Sequence, residues 1–266
     1  ATALMQMAAY ELNCQVDDLE LVLGDSLGPD AGSCDAARQV TFVGRASVAA
    51  AVDLRGKILE AAQKELNSPL ENLSLDGKTV RNSISGEVLS LAGLGEIKGI
   101  GMADIPDKEA LMPGIPAHLY TTGVQIALVE VDLLTGQVEV LKMHSIIDAG
   151  KVINQQGIEG QTEGGIIQGL GYALSEDTIV VNGKFQTTGF STYILPTSMD
   201  IPRELMMTFL EEPSKLGPYG AKGISEIVLV PTAPAILNAV TDAIGERFTK
   251  IPLSAEDIFQ RMNSES

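Results

Sequence analysis

The chain has 266 residues with 45% hydrophobic content, and its 18 basic and 35 acidic side chains give a net charge of −17. That length accommodates one large domain or two packed subdomains around a substantial core, while the acidity argues against nucleic acid and anionic lipid as partners. No uncharged apolar run is long enough for a membrane span, and no basic stretch leads into an apolar one at the N-terminus, so no membrane partner is expected and the expected compartment is cytoplasmic.

Helical spacing of Ala3, Leu4, Met7, Ala8 and Leu12 predicts a helix from the first residues. No capping residue and turn come before it, so further polypeptide is expected to precede it in the natural assembly. A strand is predicted over Leu19 to Leu23, followed by a polar loop ending near Gln39. From Phe42 to Leu66 an apolar face runs through Ala46, Ala50, Ile58 and Ala62, opposite Arg55, Glu60 and Lys64, and predicts a long helix. Leu73 to Leu75 and Thr79 to Arg81 flank Asp76-Gly77, a type I′ hairpin signal. These elements form an expected first subdomain over residues 1–85, joined by a connection of short elements over 86–116 that contains six glycines and three prolines.

A second subdomain, residues 117–266, opens with a strong hairpin, Val124 to Asp132 and Val138 to Asp148. A loop is predicted from Gly150 to Gly160 and a small-faced helix from Gly164 to Leu174. That helix carries four glycines, each costing about 1 kcal/mol relative to alanine, which close packing against another backbone or a ligand would offset. A third hairpin turns at Asn182-Gly183, a strand runs Leu205 to Leu210, a helix runs from Pro231 to Ile244, and Ser254 with Asp257 predicts a capping box before a last helix. The fold class is α+β, with two packed subdomains of hairpins, mixed sheets and helices.

Two cysteines, Cys14 and Cys34, form neither a close pair nor a cluster with histidine, so no iron–sulfur or zinc site can be built from them, and both are expected as free, buried thiols. His118 and His144 stand in strand-like contexts and are read as structural. The segment Gly220-Ala221-Lys222-Gly223-Ile224-Ser225-Glu226, before an apolar helix, places one carboxylate at the end of a glycine-hinged loop. On its own this is an ordinary helix start with a first-turn acid. Gln161, in Gly160-Gln161-Thr162-Glu163-Gly164-Gly165, reads alone as a surface or capping amide, and residues 32–39 read alone as a polar entry to the long helix.

Taken together, the Gly160 to Gly171 segment, the Glu226 loop, Asp148-Ala149-Gly150 with Ile153-Asn154, and Phe190-Ser191-Thr192-Tyr193 before Pro196 resemble landmarks of the carboxy-terminal molybdenum-cofactor domain of the xanthine dehydrogenase and aldehyde oxidase family. The resemblance covers nearly the whole chain, to Thr249 through Glu256. It implies a molybdopterin-binding subunit of a molybdenum hydroxylase, which hydroxylates an N-heterocycle (purine or nicotinate-like) or an aldehyde with oxygen from water. Glu226 takes the position of the catalytic glutamate, the general base for the oxygen nucleophile, and a shielded pocket is expected to bring its pKa toward neutrality.

Ser33, Cys34, Asp35, Ala36, Ala37, Arg38 and Gln39 take the position of a loop that wraps the molybdopterin through backbone amides. Gln161, Lys222, Gly223, Ile224 and Ser225 complete the implied cofactor wall. No side chain here is a metal ligand, because molybdenum is held through the pterin dithiolene, with the dinucleotide as the expected form of the cofactor. Iron–sulfur and FAD groups are expected on partner chains, together with a larger molybdopterin subunit, since the family's glycine-glutamine-glycine segment is absent ahead of Ala1. The isolated chain is expected to be inactive and to self-associate through an apolar surface around Leu4, Met7 and residues 164–171. The alternative is a subunit without chemistry that holds the cofactor or scaffolds assembly.

Overall fold

The structure, a computed structural model, describes residues 1–30, 32, 36–103 and 120–263. It divides into two compact units: unit 1 comprises Ala1–Tyr120, Gly150–Gly157 and Glu212–Gly223, and unit 2 comprises Thr121–Ala149, Ile158–Glu211 and Ile224–Ser266. The α+β class holds.

In unit 1, helices α1 (Thr2–Leu12) and α2 (Gln39–Leu66) pack together, and strands β1 (Leu73–Asp76), β2 (Thr79–Asn82) and β3 (Val88–Ser90) form an antiparallel sheet. The apolar face of α2 supplies Ile58 and Ala62 to a core shared with Leu73, Leu75 and Val80. α1 ends where Asn13 turns left-handed, and the same residue docks the hairpin: its Nδ2 donates to Leu75 O at 3.1 Å while its carbonyl accepts from Gly77 N at 2.8 Å.

Several expectations change here. Of the two central residues of the β1–β2 turn only Gly77 has a positive φ, which is the type II′ pattern rather than type I′. Leu19 to Leu23 is not a strand: the run pairs with no strand among the described residues, and Val22 and Leu23 are well exposed. A run rich in leucine and valine becomes a strand only by pairing, and this one pairs with none of the described strands. Cys14 is a partly exposed free thiol rather than a buried one, with burial and then Asp18 pushing its pKa up against the opposing effect of Lys78. Cys34 and His118 lie outside the described residues.

In unit 2, β4 (Gly123–Val131) and β5 (Val138–Asp148) pair antiparallel, while β8 (Glu204–Leu210) joins β5 in parallel, giving the order β4-β5-β8. The small hairpin β6 (Val180–Val181) and β7 (Lys184–Phe185) turns through Asn182 and Gly183, both at positive φ, as a type I′ turn requires. α3 (Gln155–Leu174) and α4 (Thr232–Ile244) contribute Ile166, Leu170, Ala173, Ala233 and Ile236 to a core with Val140 and Met143. α5 (Ala255–Asn263) is capped as predicted: Asp257 N donates to Ser254 Oγ at 3.1 Å, and Ser254 N donates to Asp257 Oδ2 at 3.2 Å. His144 Nε2 lies 3.0 Å from Thr208 Oγ1 across the β5–β8 pair.

α3 begins at Gln155, well before Gly164, so the predicted Gly150 to Gly160 loop is too long. Asn154 starts the helix by accepting from Gly157 N through its side chain. The glycine face is spent inside unit 2: a Cβ at Gly165 would overlap Val228, and one at Gly169 would overlap Thr232. Ile166 and Leu170 are accordingly buried, at 0% and 5% exposure, so the apolar surface expected along residues 164–171 is covered, whereas beside Leu4 and Met7 an open apolar cavity lined by Met7, Tyr10, Val152 and Ile153 remains. Among the described residues no helix is long and apolar enough to cross a membrane.

Candidate functional site

In unit 1 three loops converge. Ala36 and Ala37 are consecutive left-handed residues, at φ 53° and 51°, immediately before Arg38, the N-cap of α2. A left-handed backbone costs an L-residue with a Cβ about 1–2 kcal/mol, and such outliers gather where a ligand or switch is held. The second loop starts at Gly150, which bridges Ala221, and Lys151 N donates to Gly220 O at 3.0 Å. The third, residues 217–223, is shaped by glycines: a Cβ at Gly217 would strike Ala221 O, and one at Gly223 would strike Ala37 O. Ala37 and Gly223, named from separate motifs, thus meet backbone to backbone. Arg38, Gln39 and Lys222 are each half-buried around this meeting. Ser33, Cys34 and Asp35 lie outside the described residues.

Unit 2 holds the remaining residues. Ile224 is half-buried, and Ser225 and Glu226 are exposed on a turn that runs to Pro231, so α4 begins six residues beyond Glu226 rather than directly after it. Within this unit the carboxylate is open to solvent. The Glu226 carbonyl accepts from Leu229 N at 3.0 Å and Val230 N at 3.2 Å, which closes the turn.

Val228, fully buried, anchors that turn. Its carbonyl accepts from Gln125 Nε2 at 2.8 Å; the same amide nitrogen donates to Ser145 Oγ at 3.2 Å, and Thr232 Oγ1 donates to Gln125 Oε1 at 2.7 Å. Gln125, Ser145 and Thr232 are all buried, so this network is a rigid seat for the turn. Sequence reading missed these three residues; the available signal was a glutamine and a serine at inward positions of two strands whose neighbours are apolar.

Gln161 is exposed on α3, one turn before Gly165, and Gly165 is the residue that takes Val228. The helix bearing Gln161 and the turn bearing Glu226 are therefore fixed to each other by the Gly165–Val228 contact. A cavity of about 470 Å³ elsewhere in unit 2, lined by Glu130, Asp132, Glu139 and Asp200, contains none of the expected site residues.

The arrangement supplies backbone turns and cations (Arg38, Lys222) in unit 1, suited to an anionic group with many acceptors, and a seated carboxylate with an amide-bearing helix in unit 2. Among the described residues no group of three or more His, Cys, Asp or Glu is disposed to hold a metal ion directly.

Residues 1–202 match the family profile described as molybdopterin cofactor-binding domain. The chain is 30% identical over 267 residues to a probable xanthine dehydrogenase subunit of Bacillus subtilis (strain 168), covering 98% of this chain and 35% of that protein. It is 30% identical over 274 residues to the nicotine 6-hydroxylase large subunit of Paenarthrobacter nicotinovorans, covering 97% of this chain and 33% of that protein. The fold is similar to that of quinoline 2-oxidoreductase from Pseudomonas putida 86, with a TM-score of 0.81 at 24% identity over 98% of this chain and 34% of that one. The chain thus spans about a third of the length of the relatives it matches.

Proposed function

Because the chain belongs to the molybdopterin cofactor-binding domain family, we propose that it is the cofactor-binding portion of a molybdenum hydroxylase, oxidising an N-heterocycle or an aldehyde with water as the source of oxygen. The observation that carries this reading is the seated turn of Glu226, held through Val228 by the buried Gln125–Ser145–Thr232 network. A cofactor holder without chemistry has no use for an acid held so firmly at its tip.

The residues of unit 1 fit the group that the family implies. A phosphorylated pterin is acceptor-rich and anionic; the left-handed Ala36–Ala37 turn beside the N-terminus of α2 presents backbone dipoles, and Arg38 and Lys222 bring positive charge. Gln39 and Gly223 belong to the same loops of unit 1, and in unit 2 Gln161 offers an amide able to donate and accept at once. The dinucleotide is the proposed form of the cofactor. When bound, the molybdenum cofactor supplies the two-electron oxidation of a substrate carbon.

Glu226 takes the proton from the water that provides the oxygen. For that role it must lose its exposure to solvent, and the remaining two thirds of polypeptide found in the relatives is the proposed cover, either as a larger molybdopterin subunit or as more of the same chain. Two cysteines cannot hold a cluster, so the electrons leave through iron–sulfur and flavin groups carried by polypeptide outside these 266 residues. Relatives named for xanthine and nicotine and others named for aldehydes support both substrate classes.

The test is Glu226→Gln in the complete complex. Turnover should fall on the order of 100- to 10,000-fold, the usual loss with a general base, while molybdenum content stays at the wild-type level. Wild-type turnover would remove Glu226 from the mechanism and favour the cofactor-holding alternative.

A further inference from the structure

We propose that Gln125 is a positioning residue for the reaction: acting through the Val228 carbonyl, its side-chain amide sets the roll of the turn that carries Glu226, and so the direction in which the carboxylate faces. This rests on reading Glu226 as the proton acceptor. All the residues involved belong to unit 2. The turn does not fix that direction by itself. Its closing bonds, from Leu229 N and Val230 N, both end on the Glu226 carbonyl, so residues 226–230 make a single helical turn, too short to hold its own orientation. At helical spacing, residues two apart point about 200° from one another. The buried Val228 and the exposed Glu226 therefore face opposite ways, and whatever holds Val228 aims Glu226.

Val228 is held at two points. Its side chain occupies the space that a Cβ on Gly165 would need, an apolar contact that constrains position more than direction. Its carbonyl supplies the direction, accepting from Gln125 Nε2 at 2.8 Å. Thr232 Oγ1 lies 3.3 Å from the same carbonyl, but the single hydroxyl proton is better placed on Gln125 Oε1, 2.7 Å away. Gln125 is thus the side chain that holds the carbonyl, and Thr232 is the one that holds Gln125.

An amide suits this post because it donates twice and accepts at once. Gln125 does all three, giving its second N–H to Ser145 Oγ at 3.2 Å. A flipped amide would set its oxygen against the Val228 carbonyl, so one orientation satisfies every partner. The surroundings make the choice of residue informative. Ala127 and Val129, the next inward positions of β4, pack on the apolar core, and Ser145, directly opposite Gln125 on β5, lies between the buried Met143 and Ile147. A polar pair interrupts an apolar face that would pack without it. Fully satisfied buried networks specify one geometry, and the geometry specified here is that of the residue two positions from the proposed base.

The experiment is a double-mutant cycle in the complete complex, with Gln125→Leu, Glu226→Gln and the pair, beside Ile236→Val, a truncation of the buried core on α4 outside this network. It measures kcat, KM, molybdenum content, thermal midpoint and amide exchange at Leu229 and Val230. Gln125→Leu should lower kcat roughly 100-fold, the loss that accompanies a misplacement of about 1 Å, with KM and molybdenum content retained and exchange at both amides faster. Added to Glu226→Gln it should lower kcat no further, because it acts only through that carboxylate. Ile236→Val should lower the midpoint while kcat and the two exchange rates hold. If Gln125→Leu fails to assemble, Thr232→Val, which frees the amide to flip, takes its place in the cycle with a smaller loss of kcat and the same expectations. Losses that multiply in the pair overturn the proposal, as do wild-type kcat in the seat variant, a loss that follows lost molybdenum, or an equal loss in Ile236→Val. Normal turnover by Glu226→Gln overturns the reading of Glu226 and the proposal with it, whereas normal turnover by the seat variant alone overturns only the proposal.

Discussion

Two pairs of close-approach glycines, one pair in each unit, meet different opponents. In unit 2, Gly165 and Gly169 let α3 sink against side chains, Val228 and Thr232, so that a helix can pack closely on the turn before α4. In unit 1, Gly217 and Gly223 lie against carbonyl oxygens of other loop residues, Ala221 and Ala37. A side chain can rotate away from an added methyl, whereas a carbonyl moves only if the backbone moves with it. The first use builds a core. The second fixes loop geometry, and it occurs where the residues proposed to hold the cofactor meet.

That contrast is sharpest at Gly223. Gly223→Ala should displace the Ala36–Ala37 turn and lower bound molybdenum, with turnover falling by roughly 100-fold as positions shift by about 1 Å. Metal analysis and steady-state kinetics on the complete complex would check it, and full molybdenum occupancy would separate this loop contact from cofactor binding. Gly169→Ala should instead behave as core overpacking: a loss of about 1–3 kcal/mol of stability by denaturant titration, with molybdenum retained once folded. If the two substitutions had the same profile, the distinction between the two kinds of glycine contact would fail.

The smallest expected effect lies at α5, remote from both comparisons. Ser254→Ala should cost about 1 kcal/mol by loss of the cap. The Ser254 hydroxyl, aided by its backbone N–H and by Lys250, holds the Asp257 carboxyl below its ordinary pKa. A lowered folded pKa means that this contribution is present above the ordinary aspartate range near 3.8 and is lost as pH falls through the lowered value. The difference between wild type and Ser254→Ala should therefore shrink below about pH 4, a point that acid unfolding curves of the two proteins would establish.

Legibility in the sequence follows the range of the interaction. Asn182-Gly183, the Ser254–Asp257 box and the α4 span were readable because the chemistry is local: two residues accept positive φ, a hydroxyl and a carboxylate cap one turn, and an apolar face repeats along a helix. Leu19 to Leu23 misled because β-propensity without a partner strand gives no strand. The parallel seating of β8 beside β5 has no local marker, since it depends on a crossover between distant segments. The candidate site divides in the same way. Motif order announced Gln161 and Glu226, yet Ala36, Ala37 and Tyr219 carry no sign in the sequence that they turn left-handed. Nor does Gln125 reveal that its amide will hold a turn more than a hundred residues away.

The division of unit 1 among three stretches of chain, Ala1–Tyr120, Gly150–Gly157 and Glu212–Gly223, bears on how the protein is made. A ribosome delivers α1, α2 and the first sheet early, and those elements can associate as they emerge. The segment Glu212–Gly223, which seats Pro218 beside Gly44 and Tyr219 beside Tyr10, arrives only after β4 through β8 have been synthesised. Until then the nascent unit presents an unfilled apolar surface at Met7 and Gly44, the kind of transient exposure that draws chaperones and aggregation. Truncation ahead of Gly223 would therefore injure the amino-terminal unit first, although every residue removed lies far from it in sequence.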